Sequence, residues 1–158
     1  MCLTISAQND KAPDFSVEAL DGKTYSLEDF KGKNLLLLFW STSCPICQKD
    51  LPKLNESLKN RPENLQVIAI TAENETRVSK FLKQKPLDFI IGFNGLGVML
   101  NYARKNSKGE FFLSYPFYVL INQQGNIVQK AEGEGNVEKI LSAIEQLTRS
   151  ESKDCSLR

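Results

Sequence analysis

Asn34–Trp40 reads NLLLLFW, an apolar run with no alternation, and it stops just short of Cys44. A strand with one wet face alternates between apolar and polar residues. A run this short and unbroken suits a strand covered by other layers on both faces. The fold must therefore bury this segment in the middle of a sheet, with helices or loops packed above and below it. Pro45 comes directly after Cys44 and has no N–H to lose in a first helical turn, so a helix starting there is favoured. Cys47, Leu51, Leu54 and Leu58 follow at spacings that give the helix one apolar face. Pro52 within it predicts a kink.

The remaining segments continue a strand–helix alternation. LQVIAIT (65–71) reads as a second buried strand, TRVSKFLKQK (76–85) as a helix ended by Pro86, and LDFIIGF (87–93) as a third, short strand. GLGVMLNYARK (95–105) is interrupted by glycine and fits helix or loop. SYPFYVLINQQGNIVQKAEG (114–133) reads as two antiparallel strands turning at Gln124–Gly125. NVEKILSAIEQLT (136–148) is an amphipathic helix with Val137, Ile140, Leu141, Ile144 and Leu147 inward. Ahead of the central run, Asp21–Gly22 marks a hairpin turn. Ser26 and Asp29 there have the spacing of a capped helical turn carrying Leu27 and Phe30. The expected architecture is α/β: a central mixed β-sheet flanked by helices, with an N-terminal β-hairpin extension. One domain over residues 12–149 is expected, with flexible tails at 1–11 and 150–158.

The chain of 158 residues contains no histidine, which removes imidazole catalysis and histidine-dependent zinc sites. Twenty basic against nineteen acidic side chains leave a formal charge of +1, and no basic block stands apart. Nucleic-acid binding therefore has no electrostatic footprint. No G-x-G-x-x-G follows a strand, so no nicotinamide or flavin cofactor is expected. No segment has the length of a membrane span. MCLTISAQ at the N-terminus is not a complete signal peptide but resembles the end of a cleavable one, which would place the protein outside the cytoplasm.

Chemistry falls to the thiols. Cys2 and Cys155 lie in terminal segments and are read as incidental, with a terminal disulfide or lipid attachment as alternatives. Cys44 and Cys47 form C-P-I-C at a strand-to-helix junction. Unpaired N–H groups converge at a helix start and stabilise a thiolate there, which makes Cys44 the candidate nucleophile. Cys47, one turn on and facing inward, is the candidate resolving thiol. Two other readings stay open: packing residues only, or ligands of a metal. A structural zinc needs four ligands, and one pair without histidine does not supply them, so no metal is expected.

FWSTSCPICQKDLPKL (39–54) resembles the active-site segment of the thioredoxin superfamily, and is most similar to thiol–disulfide oxidoreductases of the TlpA/ResA type. APDFSVEALDGKTYSLEDFKGKNLLLLFW (12–40) resembles that group's N-terminal hairpin and first core strand. YPFYVLINQQGNIV (115–128) resembles its cis-proline segment and following hairpin. The likeness covers roughly Ala12 to Leu147. It implies a thioredoxin-like fold with Pro116 as a cis proline facing the thiols. It further implies a groove for substrate made by Trp40, Pro45, Ile46 and the backbone of Tyr115. Thioredoxins proper keep a buried aspartate where this chain has Leu38. TlpA/ResA-type proteins instead place a carboxylate three residues after the second cysteine, and Asp50 stands there, suited to taking or returning a proton during exchange. A solvated surface aspartate is the other reading of Asp50.

The resemblance implies an enzyme that exchanges electrons with protein disulfides, and the uncharged Pro45–Ile46 pair favours the reducing direction. Apocytochrome c is a candidate substrate within cytochrome c maturation, and a membrane or soluble thiol reductant would recharge the pair. A monomer in the periplasm or another extracytoplasmic space is expected, anchored in a longer precursor or not, with the cytoplasm as the alternative. Two rivals remain. The N-terminal region is also similar to peroxiredoxins, which would make the chain a peroxide reductase. Two thiolates could alternatively hold monovalent copper in a chaperone.

Overall fold

The computed structural model describes residues 10–155. The chain forms β1 (Ser16–Glu18), β2 (Thr24–Ser26), a 3-10 turn (Leu27–Phe30), β3 (Asn34–Phe39) and α1 (Pro45–Ser57). It continues with β4 (Leu65–Ile70), α2 (Glu75–Gln84), β5 (Ile90–Gly92) and α3 (Leu96–Tyr102). The remaining elements are β6 (Arg104–Lys105), β7 (Phe111–Phe112), β8 (Phe117–Ile121), β9 (Ile127–Glu132) and α4 (Val137–Cys155).

The central sheet has the order β5-β4-β3-β8-β9. β3, β4 and β5 run parallel, β8 pairs antiparallel with β3, and β9 pairs antiparallel with β8. Every residue of β3 is buried, as the unbroken apolar run requires. Successive side chains of a strand point to opposite faces. Leu36, Leu38 and Trp40 therefore join Cys47, Leu51 and Leu54 of α1 and Ile140 and Ile144 of α4 on one face. Leu35, Leu37 and Phe39 join Phe15, Val17 and Phe30 of the N-terminal segment and Val98, Met99 and Tyr102 of α3 on the other. The sheet is mixed and covered on both faces.

The N-terminal hairpin pairs Ser16 with Ser26 and turns at Gly22, whose φ of +82° favours glycine. The 3-10 turn is capped as its spacing predicts: the Ser26 N–H and Oγ donate to Asp29 Oδ2 at 2.7 and 2.9 Å. GLGVMLNYARK resolves to helix α3 followed by strand β6. The β6–β7 hairpin was not foreseen: it turns on Asn106, whose Oδ1 accepts from the N–H groups of Lys108 and Glu110. α1 runs on through Pro52 to Ser57.

Both expected domain limits need correction. Asp10 and Lys11 are not free: the Asp10 carbonyl accepts from the Ile127 N–H at 2.8 Å, and Lys11 bridges Asn126. Residues 1–9, with Cys2 and the signal-like segment, lie outside the described residues. At the other end, α4 continues through residues 150–155 instead of loosening at Ser150. Its last turns are anchored, because Glu151 Oε2 accepts from Asn34 Nδ2 at 2.9 Å and from Asn64 Nδ2 at 3.2 Å. Among the described residues, no helix is long and apolar enough to cross a membrane.

Candidate active site: a dithiol at the tip of a helix

The thiols owe their position to the end of β3. After Trp40 the chain leaves the sheet through Ser41–Ser43, and Cys44 becomes the N-cap of α1 with extended backbone angles (φ −84°, ψ 111°). Pro45 occupies the first turn, where its missing N–H is harmless. The Cys44 Sγ accepts a hydrogen bond from the Cys47 N–H at 3.1 Å. A capping position normally filled by a serine or aspartate oxygen is here filled by sulfur. Cys44 is half-buried and Cys47 fully buried, and both thiols are free. Pro45 is exposed and Ile46 partly so, leaving an apolar rim around the reachable sulfur.

Burial pushes the Cys47 thiol far up, and the hydrogen bond and charge of Cys44 push the same way, against a smaller downward pull from the Ser41 backbone. Burial also raises the phenols of Tyr102, with help from Asp14, and of Tyr118, with help from Asp50 and both cysteines. All three groups fold in their protonated form. Their contribution to stability is complete below the unfolded values of about 8.5 for a thiol and about 10 for a phenol. It drains away as pH rises towards the folded values, by about 1.4 kcal/mol per pH unit and group. Denaturant midpoints taken from neutral to alkaline pH are expected to fall earlier in the reduced protein than in one with Cys44 and Cys47 joined. Parallel curves for the two forms would contradict that.

The loop before Cys44 is held by a network that no local sequence pattern announces. Glu73, between β4 and α2, accepts from the Thr42 N–H at 2.8 Å, from Thr42 Oγ1 at 2.6 Å and from Thr71 Oγ1 at 2.9 Å. It also pairs with Arg77 Nε at 2.9 Å, and Arg77 donates onward to Ser43 Oγ at 2.6 Å. Burial works to raise the Glu73 carboxyl, but the donors of Thr42, Thr71 and Arg77 outweigh it and hold it below its ordinary value. Replacing Glu73 by Ala is expected to cost about 1–3 kcal/mol, the range of charge-assisted hydrogen bonds left unmade. A depressed carboxyl contributes above its unfolded value and loses that contribution as pH falls through the folded one. The gap between variant and parent should accordingly close in acid, and chemical denaturation at neutral and acid pH measures it. The only local hint was Asn74, whose side chain caps α2 through the Arg77 N–H; it locates a helix start but not a contact across the chain.

The Tyr115–Pro116 peptide is cis. Pro116 is buried, and its carbonyl accepts from the Gly133 N–H at 2.9 Å. The Tyr115 hydroxyl donates to Met99 Sδ at 3.3 Å. Burial raises the Tyr115 phenol first, and the charges of Cys47, Glu73 and Cys44 add to it, so the ring shares the thiols' electrostatic surroundings.

Asp50, one turn beyond Cys47, is 3% exposed, and its Oδ2 has no hydrogen-bond partner. The surface reading of Asp50 is excluded. Trp40 also departs from expectation. It is 0% exposed and packs its ring against Phe81 with centroids 5.3 Å apart. It lies under the thiols as core and offers no surface for docking, because α1 and α2 close over that face of β3.

A half-exposed sulfur capping a helix, a buried partner one turn behind it and a cis proline on a mixed five-stranded sheet define a thioredoxin-like dithiol protein. Residues 7–147 match the Redoxin family model. The chain is 32% identical over 140 residues to the thiol-disulfide oxidoreductase ResA of Bacillus thuringiensis subsp. konkukian, covering 87% of this chain and 77% of that protein. The thioredoxin-like protein YneN of Bacillus subtilis is 31% identical over 124 residues, covering 76% and 68%. A thiol:disulfide interchange protein DsbE from Chlorobium tepidum superposes with a TM-score of 0.70 at 27% identity, covering 90% of this chain and 95% of that one. The exposed lipoprotein thioredoxin of Streptococcus pneumoniae does so with 0.69 at 26%, covering 85% and 100%. The chain belongs to the Redoxin family and, within it, to the ResA-type thiol–disulfide oxidoreductases.

Proposed function

We propose that this oxidoreductase reduces disulfides of protein substrates through Cys44 and Cys47, in an extracytoplasmic space. The observation that carries the reading is the asymmetry of the pair: Cys44 is partly exposed and its sulfur faces a donor N–H, while Cys47 is fully buried behind it. The Cys44 thiolate attacks one sulfur of the substrate disulfide, whose partner sulfur leaves with the bonding electrons. Cys47 then gives its proton to Asp50 and attacks Cys44 Sγ. The mixed disulfide breaks, the second substrate thiolate leaves, and the pair is left joined. Two electrons pass to the substrate, and an upstream thiol reductant restores them. The backbone of Tyr115, with Pro45 and Ile46 as an apolar rim, docks an extended substrate segment.

The uncharged Pro45–Ile46 pair supports the reducing direction. The exposed lipoprotein among the structural neighbours supports the location. Apocytochrome c is the proposed substrate class on the strength of the ResA-type likeness. Replacing Cys47 by Ala removes the resolving sulfur, so substrates should accumulate on Cys44 and be identified by mass spectrometry of covalent complexes. Apocytochromes c in that set support the maturation role, and a broad set of secreted proteins redirects it to general disulfide handling. An empty set from an intact protein without reductase activity contradicts both.

A further inference from the structure

We propose that Tyr118 is a positioning residue of the dithiol: its buried phenol donates through one water to the Asp50 carboxylate, and so sets how readily Asp50 takes the proton of Cys47. This rests on the reading of Asp50 as proton acceptor. Tyr118 stands on β8 directly across from Leu38 of β3, and both side chains enter the cluster that holds Trp40 and Cys47. Leu38 can offer nothing polar there. Tyr118 is completely buried, yet its hydroxyl has no partner. A phenylalanine would fill the same space without the cost of desolvating a hydroxyl. The oxygen therefore calls for a use.

Among the described residues, the buried side-chain polar atoms without a partner are Asn34 Oδ1, Trp40 Nε1, Asp50 Oδ2 and the Tyr118 hydroxyl. Asn34 opens β3 at the far end of that strand; the other three belong to residues packed around Cys47. Asp50 Oδ2 is an acceptor lacking a donor, and the phenol is a donor lacking an acceptor. Burial raises the phenol first, and the Asp50 charge adds to it ahead of either cysteine. The other ionisable groups around the pocket are already committed. Lys49 pairs with Glu134 at 2.8 Å, Glu73 pairs with Arg77, and Tyr115 donates to Met99. α4 adds Val137, Ile140 and Ile144 to this face, with Leu141, Ala143 and Leu147 partly buried beside them, and β9 adds Ala131.

During resolution the Cys47 proton moves to Asp50, the Cys47 sulfur bonds to Cys44 Sγ and the substrate sulfur leaves with its electron pair. The phenol keeps its own proton throughout. A donated hydrogen bond favours the charged carboxylate, so losing it makes Asp50 a stronger base.

The test is single-turnover kinetics of reduced protein with excess 5,5′-dithiobis(2-nitrobenzoate). Attack by Cys44 gives a concentration-dependent first release of chromophore, and closure by Cys47 gives a concentration-independent second release. Tyr118→Phe should move the acidic limb of the second phase to higher pH by about half a unit, a slowing of about threefold below the limb. Asp50→Asn should abolish the limb, and Tyr118→Phe should then add almost nothing. If Asp50→Asn leaves the second phase unchanged, the proton-acceptor reading fails and this proposal with it. If Asp50→Asn acts but Tyr118→Phe does not, or slows both backgrounds equally, Tyr118 is structural and only this proposal fails. Should Tyr118→Phe fail to fold, the wild-type Tyr118 Cζ resonance in reduced protein provides the readout. It must step as Asp50 titrates, with no step in Asp50→Asn, and a flat resonance overturns the proposal.

Discussion

Replacing Cys44 by Ser is expected to slow reduction of a protein disulfide by about a thousandfold or more, because a hydroxyl is a poor nucleophile near neutral pH. The remaining thiol cannot take over. Cys47 is fully buried, and its burial and the neighbouring sulfur both favour the protonated form. The variant should keep its fold, since a serine oxygen caps a helix at least as well as sulfur does and can still accept from the Cys47 N–H. Insulin reduction or an equivalent turbidity assay, paired with a denaturation curve, separates loss of chemistry from loss of structure. Activity within tenfold of the parent would mean that electrons enter by another route.

The second large effect falls on stability. Trp40→Ala should cost about 3–5 kcal/mol, the range for truncating a buried large aromatic. Trp40 is sealed between the sheet and α1, with its ring tilted against Phe81, and no relaxation of one neighbour can fill the space. Trp40→Phe should cost less and leave disulfide reduction by the folded protein within about threefold of the parent, because the indole touches no substrate. Denaturant midpoints and specific activity measured on the same samples check both parts. A folded Trp40→Phe protein with normal stability and lost activity would restore the indole to the docking surface.

Local chemistry explains which features could be read from the chain. NLLLLFW announces a strand with two covered faces because alternation vanishes only when both sides are dry. Asp21–Gly22 announces a turn because few other pairs accept positive φ. Cys44–Pro45 announces a helix tip because proline is tolerated there. These signals depend on neighbours in sequence, and the corresponding elements lie where expected.

What stayed hidden depends on contacts between distant residues. Glu73 gathers donors from Thr42, thirty-one positions away, and no pattern within either segment shows that. The last turns of α4 carry no apolar periodicity, and Glu151 is anchored by Asn34 across 117 positions. The strands β6 and β7 have two residues each, too few to display a period. Likeness to relatives puts Trp40 in the substrate groove, whereas packing beneath α1 and α2 buries it. Tyr118 reads as one more apolar strand residue, and only its pairing with Leu38 puts its ring in the cluster that holds Trp40 and Cys47.

Passage of two electrons through one reversible bond between two sulfurs can be followed by peptide mass mapping after a single turnover. Reduced protein is mixed with one equivalent of a disulfide substrate, quenched with alkylating agent and digested. Residues 34–49 hold both cysteines and leave a tryptic digest as one peptide, which should be two hydrogens lighter than its reduced form and closed to alkylation, in step with the substrate thiols formed. Substrate thiols appearing while Cys44 and Cys47 both remain open to alkylation in the unfolded digest would contradict this route.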